Sequence, residues 1–339
     1  MRILISGMAG FIGMHLAQAL ITRGHSVTGF DNLGSITYDV SLKYGRLQHL
    51  GLGPEQSIQA GEHVSNGELS FIKGDLSDAD FVSSLISAGR FDVVVNLAAL
   101  AGVRLSIERP RDYFESNALG FFNLLEALRS LNTPPRLVYA SSSSVYGDCE
   151  RAPFREDDHD LKPVSVYAAT KEINETLAAT YAHLYGLDTT GLRFFTVYGP
   201  WGRPDMAPFI FTKALLGGKP LTLFNQGRLR RDFTYVEDIV QGVIRIIENR
   251  NPRGDRAAVY NIGHGSPVEL MDFVTTLEKV SGVKGQLILG PMQKGDVHQT
   301  YADTTKLMRD YHYTAPTPLE EGLTLFFKWY RDYYGIAGD

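Results

Sequence analysis

The sequence of 339 residues contains one cysteine, Cys149. A single thiol excludes an intrachain disulfide and a zinc site built from cysteine ligands. No apolar run approaches the ~20 residues that a membrane-spanning helix needs. The chain enters its first apolar segment at Arg2, without the basic and apolar regions of a signal peptide. We therefore expect a cytoplasmic protein with no membrane partner.

Neither sign of charge is present in large excess. The 33 Lys and Arg residues nearly balance the 38 Asp and Glu residues, and the formal net charge is -5. This balance does not indicate nucleic-acid binding, so an anionic ligand would need a local basic patch. No metal site is predicted. The apolar content of 44% is enough to bury one large core or two unequal ones.

Short apolar segments alternate with amphipathic segments in the first part of the chain. Strands are predicted at 2–6, 26–30, 70–73, 92–96, 136–140 and 188–194. Helices are predicted at about 11–23, 40–50, 78–88, 111–131 and 166–185. The strands are rich in β-branched residues with little alternation, which is typical of a parallel sheet buried on both faces. This order predicts a doubly wound parallel sheet of the Rossmann type, an α/β fold.

The pattern changes after about residue 195, where loops lengthen and Pro, Gly and Arg cluster. Further helices are predicted near 206–217, 236–249, 267–281, 303–310 and 318–334. We interpret 195–236 plus 266–339 as a smaller α/β C-terminal substrate domain. Residues 1–194 plus about 237–265 would then form the first domain.

A glycine-rich segment, 7-GMAGFIG-13, follows the first strand and opens a helix. Gly7 permits a tight turn, Gly10 lets the backbone approach a pyrophosphate, and Gly13 permits close packing of the helix. The N-terminus of that helix would face the diphosphate. The strand–turn–helix context favours a dinucleotide site over a purely structural turn.

Asp31 ends the next strand, where a carboxylate can accept hydrogen bonds from both adenosine ribose hydroxyls and repel a 2′-phosphate. Residues 31–35 contain no Arg or Lys, so NAD is predicted as the cofactor rather than NADP. Asp75 and Leu76 end the third strand and are candidates for contact with adenine. A helix N-cap is an equally good role for Asp75. The small residues of 96-NLAALAG-102 would let a cofactor lie against the backbone.

Tyr167 and Lys171 are four residues apart in a predicted helix, which places both on one face. An ammonium near a phenol stabilises the phenolate and lowers the tyrosine pKa from about 10 toward a working pH. Tyr167 is therefore a candidate general base for a hydroxyl proton. The alternative is an ordinary exposed helix face. The glycine turn and 141-SSSSVYG-147 upstream favour the catalytic interpretation.

These motifs resemble those of the extended short-chain dehydrogenase/reductases and, within them, the nucleotide-sugar epimerases, most closely UDP-glucuronate 4-epimerases. The matching stretches are 7-GMAGFIG-13, 139-YASSSSVYG-147, 167-YAATK-171, 192-LRFFTVYGPWGRPDMA-207, 230-RRDFTYVEDI-239 and 295-GDVHQTYAD-303. The glycine turn and the Tyr-Lys pair specify only the superfamily. The run from Leu192 to Ala207 points to a uronic acid substrate.

The resemblance implies roles for individual residues. Tyr167 is the base, Lys171 holds the nicotinamide ribose, and Ser142 bonds the C4 oxygen of the sugar. The implied cofactor-binding residues are Gly7, Gly10, Phe11, Ile12, Gly13, Asp31, Asn32, Asp75, Leu76, Leu97, Ala98, Ala99, Tyr167 and Lys171. The implied substrate-binding residues are Ser142, Ser143, Ser144, Thr196 near the phosphates, Arg203 at the sugar carboxylate, and Arg231 with Asp296 at the UDP moiety.

The implied reaction is the reversible, NAD-dependent 4-epimerisation of UDP-glucuronate to UDP-galacturonate through a 4-keto intermediate, in polysaccharide biosynthesis. That intermediate is a β-keto acid, which loses carbon dioxide when the C5–carboxylate bond stands perpendicular to the carbonyl plane. We hypothesise that Ser142 to Ser144 and the Arg203 guanidinium hold the carboxylate away from that geometry. The alternative for Arg203 is a surface ion pair with Asp205.

Sibling reactions are disfavoured at the same site. Related dehydratases place Asp-Glu where this chain has Ser143 and Ser144, and UDP-glucuronate decarboxylases carry Glu in the position of Ser144. Two alternatives remain: a 4-epimerase of neutral UDP-sugars (UDP-glucose and UDP-galactose or their N-acetyl forms) and a nucleotide-binding sensor with an inactive site. The presence of both Tyr167 and Lys171 disfavours the sensor.

The sequence departs from the family pattern at four places. Ser142 replaces a frequent Thr, Gln293 replaces an Arg of galactose epimerases, Asn96 replaces a frequent His, and the 31–40 loop is one residue longer. The resemblance also implies a homodimer that pairs the helices near 111–131 and 166–185 across a two-fold axis. The candidate face residues, which could equally belong to the internal core, are Phe121, Leu125, Leu177, Tyr181 and Leu184.

Overall fold

The computed structural model describes residues 1–53, 58–158, 160–293 and 295–336. The strands are β1 (Arg2–Ser6), β2 (Ser26–Asp31), β3 (His63–Asn66), β4 (Leu69–Lys73), β5 (Val93–Asn96), β6 (Arg136–Ser142), β7 (Thr189–Phe194), β8 (Thr196–Tyr198), β9 (Leu221–Leu223), β10 (Arg230–Arg231), β11 (Phe233–Tyr235), β12 (Ala257–Ile262), β13 (Val268–Glu269) and β14 (Leu287–Leu289).

The helices are α1 (Phe11–Thr22), α2 (Ser41–His49), α3 (Ala79–Gly89), α4 (Val103–Glu108), α5 (Pro110–Tyr113), α6 (Gly120–Arg129), α7 (Val166–Tyr185), α8 (Ala207–Leu216), α9 (Val236–Glu248), α10 (Leu270–Ser281), α11 (Thr305–Tyr311) and α12 (Leu319–Tyr334). A π-helical segment (Phe114–Leu119) joins α5 to α6, and short 3₁₀ turns cover Ser143–Tyr146 and Asn225–Gly227. No helix of these described residues is long and apolar enough to cross a membrane.

An eight-stranded sheet with the order β12-β7-β6-β5-β1-β2-β4-β3 forms the centre of the fold. All neighbouring pairs are parallel except β3 with β4. The chain builds outward from β1 through β2 and β4 on one side, and then through β5, β6 and β7 on the other. The predicted doubly wound α/β fold is confirmed. The change of direction lies at β1 and β5, where ligands of such sheets bind at the carboxyl ends.

The two edge strands had no predicted bounds, although short strands were expected between the later helices. The β3 strand is short, polar and mostly exposed, so it lacks the apolar signal on which the strand predictions rest. The β12 strand pairs with β7 in parallel from Ala257–Thr189 to Ile262–Phe194. It lies within the 237–265 segment that was expected to return to the first domain. The division into two domains remains a prediction.

The predicted helix at 111–131 is interrupted by the π-helical segment Phe114–Leu119. Within that segment the Asn117 side chain exchanges hydrogen bonds with Leu100 N and O at 2.8 and 2.9 Å and donates to Thr170 Oγ1 at 3.1 Å. The irregular turn therefore ties α7 to the loop after β5. Such turns occur frequently beside functional sites.

Helices cover both faces of the sheet and bury an apolar core. Phe121 and Leu125 of α6 are fully buried in that core, and Tyr181 of α7 is nearly so. These three residues, which were candidates for a dimer face, therefore belong to the internal core of one chain. Leu184 is 60% exposed. The exposed apolar side chains on these helical segments are Phe114, Leu119, Phe122, Leu184 and Tyr185.

Candidate active site

One cavity of about 390 Å³ lies at the carboxyl ends of β1, β2, β4, β5, β6 and β7. All fourteen residues predicted to bind the cofactor line it, from Gly7 in the glycine turn to Lys171 on α7. Of the predicted substrate residues, Ser142, Ser143, Ser144, Thr196 and Arg203 line it as well. The fold thus brings residues that are far apart in sequence into one site.

The three glycine positions of the turn have no room for a side chain. Gly7 has a φ of +74°, and a Cβ at this position would lie 2.7 Å from Ala98 N. A Cβ at Gly10 or Gly13 would lie 2.9 or 2.3 Å from Gly7 O. The glycines are therefore required by close packing within the turn and against the loop after β5, and all three line the cavity where a diphosphate would bind. These residues fit a dinucleotide.

The far end of the cavity is lined by Asp31, Asn32 and Asp75. Asp31 Oδ1 accepts hydrogen bonds from Leu33 N and from Lys43 Nζ, both at 2.8 Å. Asn32 donates to Asp75 Oδ2 at 2.9 Å. Burial acts to raise the pKa of Asp75, but the hydrogen bonds from Asn32 and Ser77 outweigh it, so this pKa is lowered. The carboxylate is thus kept ionised as an acceptor.

The N-cap alternative for Asp75 is wrong. Asp78 is the residue that caps α3, because its Oδ1 accepts a hydrogen bond from Phe81 N at 3.0 Å. Asp75 instead accepts from Ser77 N and Oγ, each at 2.8 Å, in the turn that precedes the helix.

Tyr167 and Lys171 lie on the first turns of α7, which Ser165 caps through a 3.1 Å hydrogen bond from Ala168 N. Lys171 is buried, and its Nζ donates to Ala140 O at 2.9 Å. The same ammonium lies 5.9 Å from the centroid of the Tyr167 ring. The prediction that these two side chains share a helix face is therefore confirmed.

The predicted fall in the pKa of Tyr167 is contradicted. Burial raises this pKa, whereas hydrogen bonding with Ser142 and the charge of Arg203 act in the opposite direction but are weaker. Burial also lowers the pKa of Lys171, to about 8. The prediction failed because it counted the ammonium beside the phenol and not the desolvation of both groups.

The consecutive serines leave the end of β6 and enter a 3₁₀ turn. Ser142 Oγ donates to Ser144 Oγ at 3.1 Å and accepts from Ser144 N at 3.2 Å. Ser141 Oγ donates instead to Glu175 Oε1 at 2.5 Å. The hydroxyls of Ser142 to Ser144 are therefore the ones available beside Tyr167.

Arg203 lines the cavity while it contacts Asp205. Its Nε and Nη2 donate to the two Asp205 carboxylate oxygens at 3.0 and 2.5 Å, and Nη2 also donates to Ala101 O at 2.8 Å. The ion pair that was weighed as an alternative is present. It does not lie on the outer surface, because the Arg203 side chain is only 18% exposed and borders the cavity. A substrate carboxylate at this position would share the guanidinium with Asp205.

Arg231 and Asp296 contact each other and do not line the cavity. Arg231 Nη2 lies 2.8 Å from Asp296 Oδ1 and donates to Val297 O at 2.7 Å. The neighbouring strand β11 pairs with β8, which begins at Thr196. The structure therefore joins the two predicted UDP residues but leaves them beside the cavity rather than in it. Among the residues described, no group of three His, Cys, Asp or Glu side chains is arranged to hold a metal.

The model of the NAD dependent epimerase/dehydratase family matches residues 3–263. The chain belongs to that family. The chain is 43% identical to UDP-glucuronate 4-epimerase 3 of Arabidopsis thaliana, with 98% of this chain and 77% of the relative covered. It is 45% identical to Protein CapI of Staphylococcus aureus, over 98% of this chain and 99% of the relative.

A solved structure of similar shape is the UDP-glucuronic acid 4-epimerase of Bacillus cereus in complex with UDP-glucuronic acid and NAD. The TM-score is 0.88 at 33% identity, with 98% of this chain and 100% of the other covered. MoeE5 in complex with UDP-glucuronic acid and NAD is also similar, with a TM-score of 0.82 at 34% identity and the same coverage. Both likenesses extend over nearly the whole chain.

Sequence reasoning missed Lys43 of this epimerase-family site. Lys43 lies on α2, twelve residues after Asp31, and its ammonium both borders the cavity and pairs with that carboxylate. The search for basic residues covered only 31–35 and so did not include Lys43. Lys43 comes close to Asp31 because α2 folds back over the end of β2. A Lys on a predicted helix soon after the acid that was predicted to bind the ribose was the available signal.

A second unpredicted feature is the buried ion pair of Glu175 with Arg193. Arg193 Nη2 lies 2.7 Å from Glu175 Oε2, and its Nε donates to Oε1 at 2.9 Å. Glu175 is four residues after Lys171 on α7, and Arg193 lies on β7. This bidentate pair holds α7 against the sheet.

Proposed function

We propose that the protein is a UDP-glucuronate 4-epimerase that interconverts UDP-glucuronate and UDP-galacturonate with NAD as its cofactor. The observation that carries this proposal is the convergence of Tyr167, Ser142 and Arg203 on the cavity that the glycine turn borders. Similarity to the Bacillus cereus enzyme, which was solved with UDP-glucuronic acid and NAD, supports the choice of substrate.

Three parts of the cavity lining are proposed to hold the dinucleotide. The glycine turn would hold the diphosphate, Asp31 the adenosine ribose, and Lys171 the nicotinamide ribose. When bound, NAD accepts the hydride from C4 of the sugar and returns it to the opposite face.

The proton moves through Tyr167. Its phenolate takes the proton of the C4 hydroxyl while the Ser142 hydroxyl holds the C4 oxygen, and a 4-keto sugar results. The charge of Lys171 stabilises the phenolate. After the keto sugar has turned over about its link to UDP, the Tyr167 phenol gives the proton back to the C4 oxygen. The proton balance closes, so no acid or base from solvent is consumed.

The carboxylate of the substrate is held by Arg203 and the serine hydroxyls. A guanidinium bonds a carboxylate in its own plane, and this contact opposes rotation about the bond to C5. The 4-keto intermediate would therefore keep its carboxylate away from the geometry that releases carbon dioxide. Ser143 and Ser144 offer no ionisable group at the positions where dehydratases carry Asp and Glu.

Arg231 with Asp296 is proposed to hold the UDP moiety from beside the cavity. The two-domain division predicted from sequence suits this role, because the pair lies on the part of the chain that follows residue 195. We also propose a cytoplasmic homodimer that acts in polysaccharide biosynthesis. Exposed apolar side chains on α6 and α7, among them Phe122 and Leu184, support the dimer.

The test is incubation of the purified protein with UDP-glucuronate, followed by mass spectrometry and proton NMR of the product. The proposal predicts an unchanged mass and an inverted C4 centre. Loss of carbon dioxide or water would contradict it. A parallel incubation with UDP-glucose separates a uronate enzyme from an epimerase of neutral sugars, and Tyr167→Phe is the control for the catalytic base.

A further inference from the structure

The turn formed by residues 199–202 immediately precedes Arg203, and its carbonyl groups are bonded by side chains from elsewhere in the fold. Within the turn, Gly202 N donates to Gly199 O at 3.1 Å. His15 Nε2 of α1 lies 2.9 Å from Pro200 O. Arg46 of α2 donates to Trp201 O at 2.7 Å through Nη2 and at 3.2 Å through Nε. The carbonyl groups of Gly199, Pro200 and Trp201 thus each accept a hydrogen bond.

The turn needs such support because its backbone is strained. Trp201 has a φ of +61°, a region that bulky side chains rarely adopt. Its indole is nearly buried and packs at 5.2 Å from the ring of His49 and 4.8 Å from that of Tyr333. Packing and hydrogen bonds therefore hold the turn in one conformation, and this fixes the position of Arg203 at the cavity.

Arg46 connects this turn to the cofactor side of the site. Its side chain is fully buried, and Nη1 donates to Ala9 O in the glycine turn at 3.1 Å. Nη1 also donates to the hydroxyl of Tyr38, a cavity-lining residue, at 2.7 Å. One planar guanidinium therefore bonds both the segment that would hold the diphosphate and the segment that carries Arg203.

The geometry requires an arginine. Its five N–H donors lie in one plane and can reach acceptors on two separate segments, whereas a lysine presents three donors at a single point. His15 adds a donor to the same turn from α1. Burial lowers the pKa of His15 to about 4, so the ring is neutral at physiological pH and donates with its proton on Nε2.

We propose that Arg46 is a positioning residue, assisted by His15, that sets Arg203 at a fixed place relative to the glycine turn and thereby confers selectivity for UDP-sugars with a carboxylate at C5. The inference rests on the proposed function, since the selectivity concerns the sugar of that reaction. Arg46 acts through the turn and does not touch the sugar. Its loss should weaken recognition of the carboxylate more than recognition of the nucleotide.

The test compares Arg46→Lys, His15→Phe and the control Arg136→Lys. Arg136 is a suitable control because it also donates to backbone carbonyls, those of Ile246, Ile247 and Asn249, at a distance from the cavity. Affinities for UDP-glucuronate and UDP-glucose are measured by calorimetry with NAD at saturation, beside kcat, KM and the melting temperature. The calorimetry is done with Tyr167→Phe added to each protein, so that the affinities are measured without turnover.

We expect Arg46→Lys to lower the affinity for UDP-glucuronate roughly tenfold with a much smaller change for UDP-glucose, and KM to rise in parallel. His15→Phe should move the ratio of the two affinities in the same direction, and Arg136→Lys should leave it unchanged. The inference is overturned if Arg46→Lys and His15→Phe lower the melting temperature but leave that ratio at the wild-type value. Failure of wild-type turnover would instead overturn the proposed function.

Discussion

The ammonium of Lys171 lies one helical turn beyond Tyr167 on α7, 5.9 Å from the centroid of its ring. Lys171 is buried and Tyr167 is half-buried in the cavity wall, and Lys171 is oriented by its 2.9 Å hydrogen bond to Ala140 O. At this separation the charge on Lys171 can stabilise the phenolate of Tyr167, so we expect the pair to titrate as a unit.

The pair should give the reaction a distinctive pH dependence. Burial lowers the pKa of Lys171 to about 8 and raises that of Tyr167, so the first proton leaves the pair near pH 8. In the singly deprotonated pair the remaining proton can move from Tyr167 to Lys171, and this gives the phenolate beside an ammonium that accepts the proton of the C4 hydroxyl. A profile of kcat/KM against pH should therefore rise through about pH 8 and then level off.

Lys171→Met provides the matched test of that assignment. Without the ammonium, the first proton must come from Tyr167, whose pKa burial has raised above its usual value. The rising limb of kcat/KM should move to higher pH. A limb that stays near pH 8 in this variant would show that another group controls the rate.

Arg203→Ala should reduce kcat/KM for UDP-glucuronate by about tenfold to a hundredfold, because a hydrogen-bonded charged contact is worth about 1.5–3 kcal/mol. It should also release some carbon dioxide, since the carboxylate would be free to rotate. Steady-state kinetics and mass analysis of the product measure both effects. Unchanged kinetics and an unchanged product ratio would remove Arg203 from the carboxylate site.

Asp205→Asn is the complementary variant. It keeps the size of the side chain but removes the charge that pairs with Arg203 at 2.5 Å. The guanidinium would then be freer to bond the substrate, so KM for UDP-glucuronate should fall while KM for UDP-glucose stays the same. A rise in KM for UDP-glucuronate would mean that Asp205 is needed to orient Arg203.

Gly13→Ala should weaken NAD binding. A Cβ there would lie 2.3 Å from Gly7 O, and relieving such overpacking costs about 1–3 kcal/mol, which is about fivefold to a hundredfold in affinity. Fluorescence titration with NAD measures the loss. Gly67→Ala in the turn between β3 and β4 is the control, because its Cβ meets open space although its φ of +59° also disfavours a side chain. Equal losses of NAD affinity in both variants would contradict the prediction.

Phe122→Glu should dissociate the proposed homodimer. Phe122 is 39% exposed on α6, beside Tyr181 of α7, and a charge there would have to be desolvated in an interface. Light scattering after size-exclusion chromatography measures the mass. Ile288→Glu, at a 48% exposed position on β14, should leave it unchanged. A wild-type monomer, or a dimer that survives Phe122→Glu, would rule out this face.

The sheet was predictable because six of its strands are apolar enough to be recognised without any partner. The β3 strand carries a polar edge, so no local pattern separated it from a loop. The break in the 111–131 helix depends on bonds from Asn117 to Leu100 and Thr170, which are contacts of tertiary structure. Local periodicity cannot report such contacts.

The site was predictable where a motif carries the chemistry, as in the glycine turn and the Tyr167–Lys171 spacing. Lys43 and Arg46 were missed because each acts on a segment distant in sequence: Lys43 pairs with Asp31, and Arg46 bonds Trp201 O. The direction of the Tyr167 pKa was mispredicted because burial is a property of the folded chain. Proximity in space and desolvation are thus what the sequence could not supply.

The most direct measurement uses UDP-glucuronate that carries deuterium at C4, incubated with the enzyme in ordinary water. If the C4 hydride leaves and returns while Tyr167 handles the proton, the UDP-galacturonate formed keeps its deuterium at C4 and its full mass. Exchange of that deuterium for hydrogen, or a product that has lost carbon dioxide, would contradict the mechanism.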